Sequence, residues 1–149
     1  MIEKIRNEQT DALCKAFASL KTVEECYKFL DDLCTLSEVT EMGKRLSAAR
    51  MLRELSGRSH EVWTGVCVLR GGEKLLGAER TLVRFRRLEE SEILAYIATG
   101  EPMDKAGAYG AQGLASLFVE GIEGDFFNVM GLPLCRLGKM LGKLGVKLL

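Results

Sequence analysis

The stretch GEPMDKAGAYGAQG, from Gly100 to Gly113, holds the side chains in this sequence best placed to do chemistry. Few of its residues have apolar side chains to bury, and a loop this long inside a compact domain is usually functional. Gln112 is the foremost candidate. A carboxamide offers one acceptor and two donors, so it can pair with a donor and an acceptor set side by side on a ligand. Its plainer alternative is a bond to loop backbone. Asp104 and Lys105 stand among glycines that let a backbone approach a ligand, and a lysine there can meet a phosphate as a point charge. Their plainer alternative is a salt bridge or a cap that holds the loop.

The remaining candidates are weaker. Glu101, Glu120, Glu123 and Asp125 have the chemistry of metal ligands, but their spacing is not a binding pattern, so each reads as a solvated charge or a cap and no metal site is expected. His60 is the single histidine and lies just before a strand, where it reads as part of the hairpin entry rather than as a base. Trp63 reads as packing rather than a stacking platform. Cys14, Cys26, Cys34, Cys67 and Cys135 are odd in number and form no CxxC pair, which suggests neither a disulfide framework nor a zinc site and fits a reduced cytoplasm.

The elements that must position these residues follow from periodicity. Leu13, Ala16, Phe17 and Leu20 make one stripe on a helix over roughly 8–20. Thr22 and Glu25 form a capping box for a second helix, whose expected buried stripe is Val23, Cys26, Tyr27, Leu30, Leu33 and Cys34. Ser37 is the expected N-cap of a third helix, carrying Val39, Met42, Leu46, Ala49 and Leu52 and ending near Ser56-Gly57. The period then changes. From Glu61 to Leu88 the chain is rich in Val, Thr and aromatic residues around Gly71-Gly72, which predicts a long hairpin. A helix over 89–98, a short strand over 117–122, and a last helix or two interrupted at Gly131-Leu132-Pro133 complete the chain. The C-terminal LGKMLGKLGVKLL reads as a closing helix rather than a membrane-surface one.

With 149 residues, 47% of them hydrophobic, the chain has room for one ordinary domain or two very small ones. Its 21 basic and 21 acidic residues cancel, and they also cancel within the first 58, so no basic domain is present to hold a phosphate backbone. The N-terminus shows no leader pattern and no run is long enough to span a bilayer, so a cytoplasmic protein with no membrane partner is expected.

Two resemblances sharpen this. The run LKTVEECYKFLDDLCTLSEVTEMGKRLSAARML (Leu20 to Leu52) resembles the YerC/YecD branch of the Trp-repressor-like family, over about residues 1–54. Members continue into a DNA recognition helix, but here RELSGRSHEVW follows, so DNA is not an expected partner. SGRSHEVWTGV (Ser56 to Val66), the glycine-rich loop, and LFVEGIEGDFFNVMGLPLCRL (Leu117 to Leu137) together resemble the Maf family of nucleoside triphosphate pyrophosphatases, over about residues 47–149.

The Maf resemblance implies hydrolysis of a nucleoside triphosphate to the monophosphate and pyrophosphate, with Mg²⁺ or Mn²⁺ as cofactor. A glutamine in the GxQG context of Gln112 implies the dTTP/UTP class, a pyrimidine nucleotide being the substrate. The family's Ser/Arg-rich phosphate segment and its central motif with the general-base aspartate are not found, so the catalytic residue is unknown and impaired activity is expected. The fold class expected is α/β (α+β), a helical N-terminal segment followed by the hairpin-containing C-terminal half of a Maf/ITPase-like fold. The expected division is 1–54, Trp-repressor-like and lacking its recognition helix, and 55–149, a Maf-like half-domain. A chimera joined within Ala48 to Glu54 would explain both resemblances, and a homodimer is a possible state. A Trp-repressor-like regulatory or dimerisation module and an inactive gene-fusion remnant are the competing readings.

Overall fold

A computed structural model describes residues 2–148. Among the described residues it is a mixed α/β chain with seven α-helices and one three-stranded antiparallel sheet in the order β1-β2-β3. The chain divides into two compact units, one up to Gly43 and one from Lys44 onward.

The first unit contains α1 (Ile2–Ile5), α2 (Glu8–Ser19), α3 (Val23–Leu33) and the start of α4 (Leu36–Leu55). Polar side chains start its helices. Asn7 accepts from the Thr10 amide while the Thr10 hydroxyl accepts from the Asn7 amide, at 3.0 Å each. Thr22 accepts from the Glu25 amide at 3.2 Å, and the Glu25 carboxylate reaches one residue further back, to the Lys21 amide at 2.7 Å. Thr35, not Ser37, starts α4: its hydroxyl accepts from the Glu38 amide and its amide donates to the Glu38 carboxylate. The threonine prevails because a glutamate stands three residues after it.

The expected burial of the α2 and α3 stripes is not found. Neither α2 nor α3 has a buried residue, and Val23 and Tyr27 are 72% and 67% exposed. Phe17 and Phe29 meet edge to face with ring centroids 4.9 Å apart, yet Phe17 stays exposed. So few residues in short helices have too little second layer to enclose an apolar face.

The second unit is built on the hairpin. β1 (Ser59–Arg70) and β2 (Glu73–Phe85) pair in register from Ser59 opposite Arg84 to Arg70 opposite Glu73. Gly71 and Gly72 make the two-residue turn with φ of 54° and 86°, the pair of positive angles that matches the twist of the strands. Side chains alternate along β2, with Thr81, Val83 and Phe85 buried and Arg80 and Arg84 exposed. β3 (Val119–Glu123) adds to β2 with a register shift at Arg84/Phe85. Trp63 is 61% exposed and donates to Glu61 at 2.8 Å, so it is not core packing.

The core of this unit gathers Ala48 and Leu52 from α4, Val83 and Phe85 from β2, Ile93, Tyr96 and Ile97 from α5 (Glu90–Ala98), and Ala108, Tyr109, Ala115 and Phe118 from the segment after it. Two short helices, α6 (Phe126–Val129) and α7 (Leu134–Lys143), close the chain. Asn128 of α6 is fully buried and donates to the Val62 carbonyl and the Thr81 hydroxyl, each at 3.0 Å. Thr81 in turn donates to the Asp125 carbonyl and accepts from the Asp125 amide, fixing α6 to the hairpin.

Candidate functional site

The segment between α5 and β3 folds as three 3₁₀ turns, Glu101–Asp104, Ala106–Ala108 and Leu114–Leu117. Gly107 and Ala108 both take left-handed angles, φ 73° and 61°. Alanine pays a steric penalty there, and its burial shows the surrounding core holding it in place.

Three polar contacts hold this loop. At its start, the Glu101 carboxylate accepts from the Tyr96 hydroxyl and from the Leu114 amide, at 3.0 Å each. The amide bond, followed by the tyrosine's, keeps the Glu101 carboxyl below its ordinary range. A Cβ placed on Gly113 would lie 2.2 Å from a Glu101 oxygen, so glycine is what leaves room for the carboxylate.

At its middle, His60 Nε2 and the Tyr109 hydroxyl are 2.8 Å apart, joining the first residues of β1 to the loop. Phe85 stands edge to face against both rings, with centroids 5.3 Å from His60 and 4.8 Å from Tyr109. Burial pushes the Tyr109 hydroxyl up to about 12 and pushes the imidazole down. Both groups are therefore neutral near pH 7. Nδ1 of His60 is buried and has no hydrogen-bond partner among the described residues.

At its end, Arg86 donates to the Leu117 carbonyl at 2.8 Å and grips Glu92 of α5 through two bonds of 3.0 and 2.6 Å. Its guanidinium also lies 5.6 Å from the Phe118 ring centroid. The arginine bonds and the Glu89 amide hold the Glu92 carboxyl down to about 2.

Between the first two tethers lies Gln112, exposed at the loop surface. The bonds that tie the loop run through Glu101 and Tyr109 rather than through its carboxamide. Asp104 and Lys105 pair with each other at 2.5 Å, and this contact lowers the aspartate's pKa. Lys105 is also close to the loop's far arm, its Cε being 3.5 Å from where a Gly110 Cβ would stand. The loop thus brings Lys105 toward the run that carries Gln112.

The other acidic candidates are dispersed. Asp125 caps α6 by accepting from the Phe127 amide at 2.8 Å, and Glu120 pairs with Arg84 at 3.2 Å. Among the described residues no three or more His, Cys, Asp or Glu side chains form a group able to hold a metal ion.

Sequence reasoning missed the tethers. Tyr96 and Tyr109 carry no site signal in the sequence, and Glu101 reads there as a ligand, a solvated charge or a cap. Glu101 and Leu114 are too far apart in sequence for any local motif to join them.

A family model described as Maf-like protein matches residues 4–144. The chain belongs to the Maf family. A dTTP/UTP pyrophosphatase of Moorella thermoacetica is 49% identical over 141 residues, covering 91% of this chain and 72% of that protein. Proteins of the same description from Geobacillus sp. and Koribacter versatilis are 59% and 54% identical over 98 and 99 residues, in each case 66% of this chain and 53% and 51% of theirs. The chain thus spans about half the length of most of these Maf relatives.

The Maf match corrects the sequence reading in extent: the family's domain is not confined to residues after 47 but begins at residue 4. The impairment expected from a missing N-terminal half has no support in such a match. Nor does the match show a separate Trp-repressor-like segment or a chimera.

Proposed function

We propose that this Maf-family chain hydrolyses pyrimidine nucleoside triphosphates of the dTTP/UTP type to the monophosphate and pyrophosphate, with the 100–117 loop reading the base. The observation that carries the reading is the exposed Gln112 in a loop tethered on both sides of it. Its carboxamide can accept from N3–H while donating to a neighbouring carbonyl of uracil or thymine. The names of the relatives support the substrate class.

In this reaction a water oxygen bonds to the α-phosphorus, the bridging P–O bond to the β-phosphate breaks, and the water's proton leaves to solvent or a base. Lys105 supplies a cation for the phosphate chain by exchanging Asp104 for a phosphate oxygen. No general base is assigned to this chain. The Mg²⁺ or Mn²⁺ of the reaction belongs, in this reading, to the nucleotide's own phosphates. A reduced cytoplasmic setting is supported by five free cysteines and by the absence, among the described residues, of a helix long and apolar enough to cross a membrane.

The test is pyrophosphate release from a panel of nucleoside triphosphates with Mg²⁺ or Mn²⁺, comparing the wild type with Gln112→Ala. A preference for dTTP or UTP that the variant loses supports the reading. No release from a folded sample would overturn it and leave the inactive-remnant alternative.

A second reading concerns residues 1–54 as a dimerisation module set before residues 55–149. It is favoured by the uncovered apolar residues Val23, Tyr27, Leu33 and Leu36. Sedimentation equilibrium of the wild type against Tyr27→Glu tests it, a monomeric wild type counting against it.

A further inference from the structure

We infer that Glu101 is a positioning residue for base recognition: its carboxylate, held between the Tyr96 hydroxyl and the Leu114 amide over the bare Cα of Gly113, fixes the backbone from which Gln112 reads the base. The inference rests on the proposed role of Gln112 and adds to it the device that makes the role possible.

The geometry is specific. The Leu114 amide finds its partner in a side chain thirteen residues upstream, so that carboxylate ties the far end of the loop back to its start. Tyr96 is buried on α5 and presents its hydroxyl to the same carboxylate, so the anchor is attached to the core and not to another mobile group. Together with the His60–Tyr109 contact, this brackets the short turn that carries Gln112, in which the Gly110 carbonyl accepts from the Gly113 amide at 3.0 Å.

A base is read by two bonds at once only if the reading side chain leaves the backbone in a fixed direction. Sites of this kind tolerate errors of roughly 0.5 Å and 10–20°. An exposed glutamine on an untethered loop would meet the base in many orientations and bind it poorly. The carboxylate occupies the space that a side chain at 113 would take. Gly113 has φ −101° and ψ −152°, an extended conformation open to any residue, so what excludes a side chain there is Glu101 and not the backbone. Gly113→Ala should therefore dislodge a carboxylate that remains in the chain.

The experiment measures kcat and KM for dTTP in wild type, Glu101→Ala, Glu101→Gln, Gly113→Ala, Gln112→Ala and the Glu101→Ala/Gln112→Ala double variant, with amide exchange followed at Leu114. Glu101→Ala and Gly113→Ala are expected to raise KM by about tenfold while kcat changes less than about threefold, the pattern of lost binding rather than lost chemistry. Glu101→Gln keeps an acceptor for the Leu114 amide and should recover most of the loss.

On the Gln112→Ala background, removing Glu101 should cost less than about twofold more, because residues acting through one another are not additive. An equal loss on both backgrounds, or a KM for Glu101→Ala within about twofold of wild type, overturns the inference. Should the wild type release no pyrophosphate, the proposed activity fails by itself. Exchange at Leu114 then decides the tether: acceleration in Glu101→Ala with an unchanged Tm upholds it, and unaltered exchange overturns it.

Discussion

His60 at the head of β1 and Tyr109 in the glycine-rich loop share a hydrogen bond of 2.8 Å, and Phe85 closes over both rings. A histidine that sequence chemistry offers as a catalyst thus holds the loop to the sheet.

That contact makes stability depend on pH in one direction. Burial lowers the folded-state pKa of His60 below its ordinary 6.5, so the unfolded chain takes up a proton first as pH falls. The stability from neutral His60 is full above 6.5 and is lost as pH falls through 6.5 toward the folded value. Thermal melts from pH 7.5 to 5.5 should show a decline in Tm that is smaller in His60→Gln. A Tm that holds level across this range in the wild type would remove the effect.

Thr81 is the centre of the bonds joining α6 to the hairpin. Thr81→Val preserves shape but strips partners from the buried Asn128 amide and the Asp125 amide. Leaving such groups unpaired should cost about 1–3 kcal/mol in urea unfolding with an unchanged m value.

Phe85 touches His60, Tyr109 and Phe118 and is almost fully buried. Phe85→Ala should cost about 3–5 kcal/mol by the transfer and cavity terms. Amide exchange in the 105–116 loop should accelerate along with that of the sheet. Loop exchange unaffected by this change would mean that the aromatic cluster does not support the loop.

The hairpin turn gives a backbone test. Both Gly71 and Gly72 have positive φ, and no atom outside the turn lies within 4 Å of a Cβ placed on either. Gly72→Val should destabilise through strain alone, by about 1–2 kcal/mol, while Gly71→Asn should be tolerated. Chemical denaturation of the two variants distinguishes strain from packing.

The hairpin could be read from sequence because a two-residue Gly-Gly turn lies between Val- and Thr-rich runs with the right alternation. Helix α5 and strand β3 were legible from their periodicity. Periodicity overstated burial elsewhere. The stripe of Val23 and Tyr27 shows only that one face of α3 is apolar, and nothing local says whether another element covers it. A hydroxyl at Ser37 has the chemistry of a cap, but the cap falls on Thr35, whose amide the Glu38 carboxylate reaches only in the folded turn. In the loop, Gln112, Asp104 and Lys105 were visible as chemistry. The contacts that orient them, through Glu101, Tyr96 and Tyr109, depend on the folded path and left no spacing signal.

The seating of Glu101 against Gly113 restricts how this loop can drift over generations. A side chain at 113 collides with the carboxylate as long as 101 carries a glutamate, while shortening 101 first opens the space that a later alanine at 113 could fill. The order of the two changes therefore matters: one route passes through a loosened but open loop, the other through a steric collision. The two positions are expected to change in concert, with the shorter residue arriving at 101 before any side chain arrives at 113.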